Sequence, residues 1–194
     1  MDGSEELRGQ REQRRAVCIR AVEDGDLEVF FQQQLDPVAT RMAAFPARAR
    51  EPFMTHWTER ILGDPAVTAR TAVADGEVTG GLVCWADAPD RLMVGYWYGR
   101  PYWGRGIATR ALALFLGEVT VRPLYAEVAV GNAGSIRVLE KCGFRRVTEA
   151  GSTDGGAMGV EEQADGAGLT LFVLEAPARD HLGTAPRTDP GSAP

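Results

Sequence analysis

Apolar residues recur along this chain with two different periods, and the switch between them lays out its elements. Alternation or short β-branched runs predict strands at AVCIRAV (16–22), VTARTAVA (67–74), GLVCWA (81–86), RLMVGYWY (91–98), LYAEVAV (124–130), FRRVTE (144–149) and LTLFVLEA (169–176). The 3.6-residue period predicts helices from Asp24 to about Leu35, over PFMTHWTERIL (52–62), over 105–119 and over 133–142. Asp24 supplies a cap for the first helix, while Pro52 starts the second and Gly63 stops it. The intervening DPVATRMAAFPARAR (36–50), rich in Pro and Ala, reads as a connection. A DGE turn at 75–77 predicts a hairpin. The order β-α-α-β-β-β-α-β-α-β-β is an antiparallel meander feeding βαβ units. It therefore predicts an α/β chain of α+β character, with a mixed central sheet and helices on both faces.

Composition narrows this picture. With 194 residues, 44% hydrophobic and 25% charged, one domain with a sizeable core is expected, here placed at 15–176. Residues 1–14 and 177–194 are polar or rich in Pro, Gly and Ala and read as disordered tails. The Gly-rich connection 151–168 reads as either a flap or disorder. A net charge of -6 argues against nucleic acid and anionic membrane as partners, so any anion site must be local. No 18-residue apolar run and no secretory leader are visible, which reads as a soluble, cytoplasmic protein. Cys18, Cys84 and Cys142 are scattered, and His56 and His181 form no ligand spacing, so no metal is assigned.

The chemistry concentrates in YWYGRPYWGRGIATRALALFL (96–116). Gly104 and Gly106 fall where a strand gives way to a helix, and the first turn of that helix carries backbone N–H groups without intrahelical partners. A phosphate suits that position, with Arg105 and Arg110 available for extra charge; a mere tight turn is the bland alternative. No Gly-Lys-Ser/Thr follows a glycine run, which excludes a P-loop. A dinucleotide fingerprint fits poorly, because its third position is Thr109 and its acidic partner, Glu127, lies mid-strand.

In the later helix, Ile136, Val138, Leu139 and Cys142 share one arc, opposite Arg137, Glu140 and Lys141. Ser135 falls within the apolar arc, so its hydroxyl either bonds its own helix backbone or meets a ligand.

Trp103-Gly104-Arg105-Gly106-Ile107-Ala108 resembles the coenzyme A pyrophosphate loop of the GNAT superfamily of N-acetyltransferases, Gln/Arg-x-x-Gly-x-Gly/Ala, with Trp at the first position. That variant is similar to the ribosomal-protein N-terminal acetyltransferase-like branch. NAGSIRVLEKCGF (132–144) is similar to the superfamily's next motif, N-x-x-S-x-x-x-L/Y-E-K-x-G-F. The resemblance covers about 15–176 and is sharp between about 94 and 144.

The resemblance implies a GNAT-like fold with a mostly antiparallel sheet, and acetyl-CoA as co-substrate. Tyr98, Gly104, Arg105, Gly106, Ile107, Ala108, Thr109, Asn132 and Ser135 would hold it. The implied reaction is direct attack of a primary amine on the thioester. It needs a base, an oxyanion donor and help for the departing thiolate. Glu127 matches the position of the proposed base of ribosomal-protein alanine N-acetyltransferases and would act through water; a solvent-facing or arginine-paired carboxylate is the alternative. A second glutamate common in relatives is replaced by Met93, and the usual tyrosine acid by Leu139. Ser135 is then the substitute that helps the thiolate, with Tyr96 and Tyr98 as alternatives, and an N–H near Tyr96–Tyr98 would serve the oxyanion. Cys142 reads as a core thiol and His56 as a structural histidine beside Trp57.

The acceptor would be a small-molecule amine or a protein N-terminus, and the overall acidity favours a cationic one. Met42, Phe45, Phe53 and Trp57 either line its pocket or pack a helix. A homodimer is left open. Met93 and Leu139 also support a rival reading, a catalytically silent coenzyme-A-binding sensor or interaction module.

Overall fold

The computed structural model describes residues 16–147 and 168–176. Both expected tails and the expected connection at 151–167 lie outside the described residues. β1 (Val17–Arg20), β2 (Thr68–Ala74), β3 (Glu77–Ala88), β4 (Arg91–Tyr98), β5 (Leu124–Ala129), β6 (Arg145–Arg146) and β7 (Leu169–Leu174) form one sheet in the order β1-β2-β3-β4-β5-β7-β6. Every pairing is antiparallel except β4 with β5. That parallel pairing covers only Leu92↔Leu124 and Met93↔Tyr125. Beyond it β4 stays with β3 and β5 with β7, so the sheet parts between them.

Among the described residues five α-helices flank the sheet: α1 (Asp24–Gln34), α2 (Pro37–Ala43), α3 (Arg50–Thr55), α4 (Ile107–Glu118) and α5 (Ala133–Lys141). α3 runs on into a wider, π-type turn at His56–Ile61. Strand alternation sends Leu82, Cys84, Val94, Tyr98, Leu124, Ala126 and Val128 to one face, where Leu112 and Phe115 of α4 and Leu139 of α5 meet them. The fully buried Phe115, Phe172, Leu82, Leu112 and Leu124 each contribute about 1.5–3 kcal/mol of transfer free energy there. The opposite face carries a smaller cluster, Leu27, Phe30 and Phe31 of α1 with Phe53 of α3.

α1 is tied down by a buried acid. Asp26 receives both guanidinium nitrogens of Arg20 at 2.5 and 2.8 Å, the Glu23 amide at 2.9 Å and the Thr71 hydroxyl at 2.6 Å. The helix is capped at Glu23, one residue before the expected Asp24.

Three boundaries differ from expectation. The 36–50 segment holds a helix, α2, because Asp36 accepts from the Val38 amide and Pro37 occupies the first helical position. α3 starts at Arg50, and Pro52 still falls within the first turn, where its missing N–H costs nothing. β6 is two residues long within the described chain.

Candidate active site

The glycine turn takes the conformation its residues suggest. Gly104 and Gly106 have φ of 71° and 74°, and Gly106 is the N-cap of α4. A residue with a Cβ costs about 1–2 kcal/mol in this left-handed region, which explains the glycines. The helix begins at Ile107, two residues later than expected, and its first intrahelical bond is donated by the Arg110 amide to the Gly106 carbonyl at 3.2 Å. The amides of Ile107, Ala108 and Thr109 precede that bond and lack intrahelical acceptors.

This turn forms one end of a cleft of about 470 Å³ on the α4–α5 side of the sheet. Tyr98, Gly104, Gly106, Ile107, Ala108, Thr109, Asn132 and Ser135 all line it. Arg105 does not: it reaches back to Asp75 at the hairpin tip, 3.2 Å away, and stacks over Tyr102. The extra positive charge comes instead from Arg137 and Lys141, one turn apart on α5. Sequence reading placed both on the polar arc of their helix; the signal that would have found them is their position just after Ser135. Among the described residues, two cations and no carboxylate line this cleft, a donor set that suits a polyanion such as a pyrophosphate.

Asn132 and Ser135 are organised by the start of α5. The Asn132 side-chain oxygen accepts the Ser135 amide at 3.0 Å, so Asn132 is the helix cap as well as part of the cleft wall. The Ser135 hydroxyl lies 2.8 Å from the Tyr96 hydroxyl, where either oxygen can donate, and the Ser135 carbonyl, 3.2 Å from the same phenol, is the alternative acceptor for its single proton. It thus satisfies itself through a neighbouring strand, neither through its own helix alone nor in open solvent. Burial raises the Tyr96 phenol well above its usual range, against the opposing effect of the Ser135 bond, so Tyr96 stays protonated and able to donate. Tyr98 is raised by burial and by Tyr96, and its hydroxyl is buried without a partner.

A second cleft, about 310 Å³, opens on the opposite face of the sheet, beneath α1, α3 and the 44–48 loop. Glu127, His56, Arg48 and Trp57 line it. Strand alternation separates the groups: Val94, Tyr96 and Tyr98 of β4 point towards α4, while Met93, Gly95 and Trp97 point towards this second cleft. Tyr96 and Trp97 line both clefts, which therefore meet where β4 and β5 part.

Glu127 projects from β5 and meets Arg91 at 3.3 Å, the arginine-paired alternative. His56 is half-buried and held neutral, chiefly by burial and also by the charges of Arg48 and Arg60. Met93, in the place of the family's second glutamate, is 3% exposed, and Leu139, in the place of its tyrosine, is 1% exposed; both are packed side chains. Cys142 packs against the core with its thiol donating to the Thr109 carbonyl at 3.5 Å, and burial raises its pKa. Among the described residues no group of His, Cys, Asp and Glu gathers as a metal site, and no helix is long and apolar enough to cross a membrane.

No curated protein matches the sequence significantly. Solved structures share the fold. Spermidine N-acetyltransferase from Vibrio cholerae, in complex with CoA and spermine, is 15% identical with a TM-score of 0.65, covering 82% of this chain and 95% of its own. Aminoglycoside acetyltransferase AAC(6')-Ib, in complex with coenzyme A, is 16% identical with a TM-score of 0.63 over 82% and 95%. Ribosomal-protein-alanine N-acetyltransferase from Brucella melitensis is 20% identical with a TM-score of 0.64 over 82% and 99%. The profile of the acetyltransferase (GNAT) domain matches residues 16–145, and the chain belongs to that family.

Proposed function

We propose that this protein transfers the acetyl group of acetyl-CoA to a primary amine by direct attack, with no covalent enzyme intermediate. The observation that carries this reading is the meeting of two clefts across Tyr96 and Trp97 at the parting of β4 and β5. One cleft is lined by cations and a helix start, the other by aromatic side chains and a carboxylate. Three solved relatives of the same fold carry names that assign acetyl transfer to a polyamine, an aminoglycoside and a protein.

In this reading the amides at the start of α4, with Arg137 and Lys141, hold the pyrophosphate. The gap edge of β4 from Val94 to Tyr98 has no strand partner, so its backbone groups are available to the pantetheine arm and the thioester oxygen. Glu127, through a water, takes the proton the ammonium must lose before it attacks. Its ion pair with Arg91, at 3.3 Å, fixes its direction. When the Tyr96 phenol donates to the Ser135 hydroxyl, that hydroxyl's own proton is free for a hydrogen bond to the departing sulfur, and the phenol behind it strengthens that donation.

Release of free thiol from acetyl-CoA, measured with purified protein across a panel of primary amines, tests the proposal. Turnover of an amine with acetylated product in the mass spectrum supports it. Tight coenzyme A binding with no turnover on any amine would point instead to a sensor.

A further inference from the structure

The cleft on the α1–α3 side differs in chemistry from what the chain's overall acidity suggests. Its walls are largely aromatic, with Phe45, Phe53, Trp57, Trp85 and Trp97 among them. Glu127 is the one carboxylate among the described residues that line it, and Arg91 already pairs with it. Arg48 adds a positive charge and His56 is neutral.

One ammonium ion can be matched by Glu127; a second has no carboxylate to meet among the described residues and would lose its hydration uncompensated there. Aromatic faces can replace carboxylates around cations, and one of them here already carries a cation. The Arg48 guanidinium lies over the Phe45 ring at 5.2 Å. Trp57 is tilted against Phe30 and Phe53 at centroid distances of 4.9 and 6.2 Å, which joins these rings into one apolar wall. The cleft volume, about 310 Å³, sits at the small end of ligand pockets.

Resting on the acetyltransferase reading, we infer that the acceptor is an aromatic monoamine: one primary amino group on a flat apolar body, with no second cationic centre. Polyamines and aminoglycosides, with two or more ammonium groups, meet only one carboxylate among the described residues that line the cleft.

The test uses the full chain and two readouts. Calorimetry measures binding of 2-phenylethylamine, tryptamine, spermidine and kanamycin, and separately of acetyl-CoA; thiol release then gives kcat/KM for each amine. The aromatic amines should bind more tightly and exceed spermidine and kanamycin in kcat/KM by about 100-fold, the scale of one buried aromatic body. A peptide beginning with phenylalanine that is turned over equally well also supports the inference and places the amine at a chain terminus. Phe45→Asp, on a half-buried loop position, supplies a second carboxylate and removes a wall. It should raise KM for 2-phenylethylamine and lower it for spermidine, while the KM for acetyl-CoA stays the same.

Spermidine or kanamycin binding as tightly as the aromatic amines, or no amine binding at all, overturns the inference. Failure to bind acetyl-CoA strikes the acetyltransferase reading itself, and the amine calorimetry still reads the pocket independently.

Discussion

The Tyr96 hydroxyl on β4 lies 2.8 Å from the Ser135 hydroxyl on α5, joining the strand that borders the gap to the helix whose start lines the cation-bearing cleft. Neither residue stands where relatives carry their tyrosine acid, yet the pair puts a protonated phenol behind a hydroxyl. Ser135→Ala and Tyr96→Phe should each lower kcat by about 10- to 100-fold, at the low end of general acid effects, with acetyl-CoA affinity little changed. Because their hydroxyls act through one contact, the double variant should lose less than the product of the single losses. Multiplicative losses in steady-state kinetics would show that the two act separately.

Gly106 separates charge from backbone strain. An added Cβ would meet only the Arg110 guanidinium, Nη2 at 3.6 Å and Nε at 4.0 Å, so space is not the obstacle. Gly106→Ala should lose about 1 kcal/mol of stability to its positive φ and keep most acetyl-CoA affinity. Gly106→Asp adds a carboxylate at the turn proposed to hold the phosphate and should weaken binding at least about tenfold further, by calorimetry. Equal affinities for the two variants would remove the anion from this turn.

Arg137 and Lys141 should act through long-range charge. Removing either to Ala should weaken acetyl-CoA binding about three- to tenfold at low salt, and the difference should shrink towards 1 M salt as screening shortens to about 3 Å. A loss independent of salt would mean a packing role.

Glu127→Gln removes a proton acceptor without adding bulk. The turnover rate should fall about 100-fold, most below about pH 8, where fewer amines are already neutral, and the acetyl-CoA dissociation constant should not move. If the pH profile is unchanged, His56, in the same cleft and held neutral, becomes the group to replace next.

Asp26 sets an acid limb of stability. Burial pushes its carboxyl up, but the bonds from Arg20, the Glu23 amide and Thr71 together outweigh burial and leave it below its ordinary value. A depressed carboxyl contributes stability that is fully present above the unfolded value near 3.9 and is lost as pH falls through the folded one. Asp26→Asn leaves Arg20 without its buried partner and should cost about 3 kcal/mol at pH 7 in urea titrations. The gap to the parent should close as pH drops below about 4.

Much of this was legible in the sequence where residues carry local physics. The strand alternation around β3, β4 and β5, the hairpin at 75–77 and the glycine turn before α4 all announce themselves through period 2 or positive φ. α2 did not, because seven residues are too few to show a period, although Asp36-Pro37 is a helix-start signal. The site was legible by halves. Tyr98, Gly104, Gly106–Thr109, Asn132 and Ser135 gather in one cleft because they sit at consecutive element ends. The recruitment of Arg105 by Asp75, of Ser135 by Tyr96 and of Glu127 by Arg91 joins positions 30, 39 and 36 residues apart, and no local pattern encodes such pairs.

The alternation of β4 has a consequence for how such an enzyme can change. Neighbouring positions on this one strand serve different clefts: Tyr98 lines only the cation-bearing one, Met93 and Gly95 only the aromatic one, and Tyr96 and Trp97 both. Drift at Met93 and Gly95 can therefore reshape the aromatic cleft while the lining of the other is inherited intact.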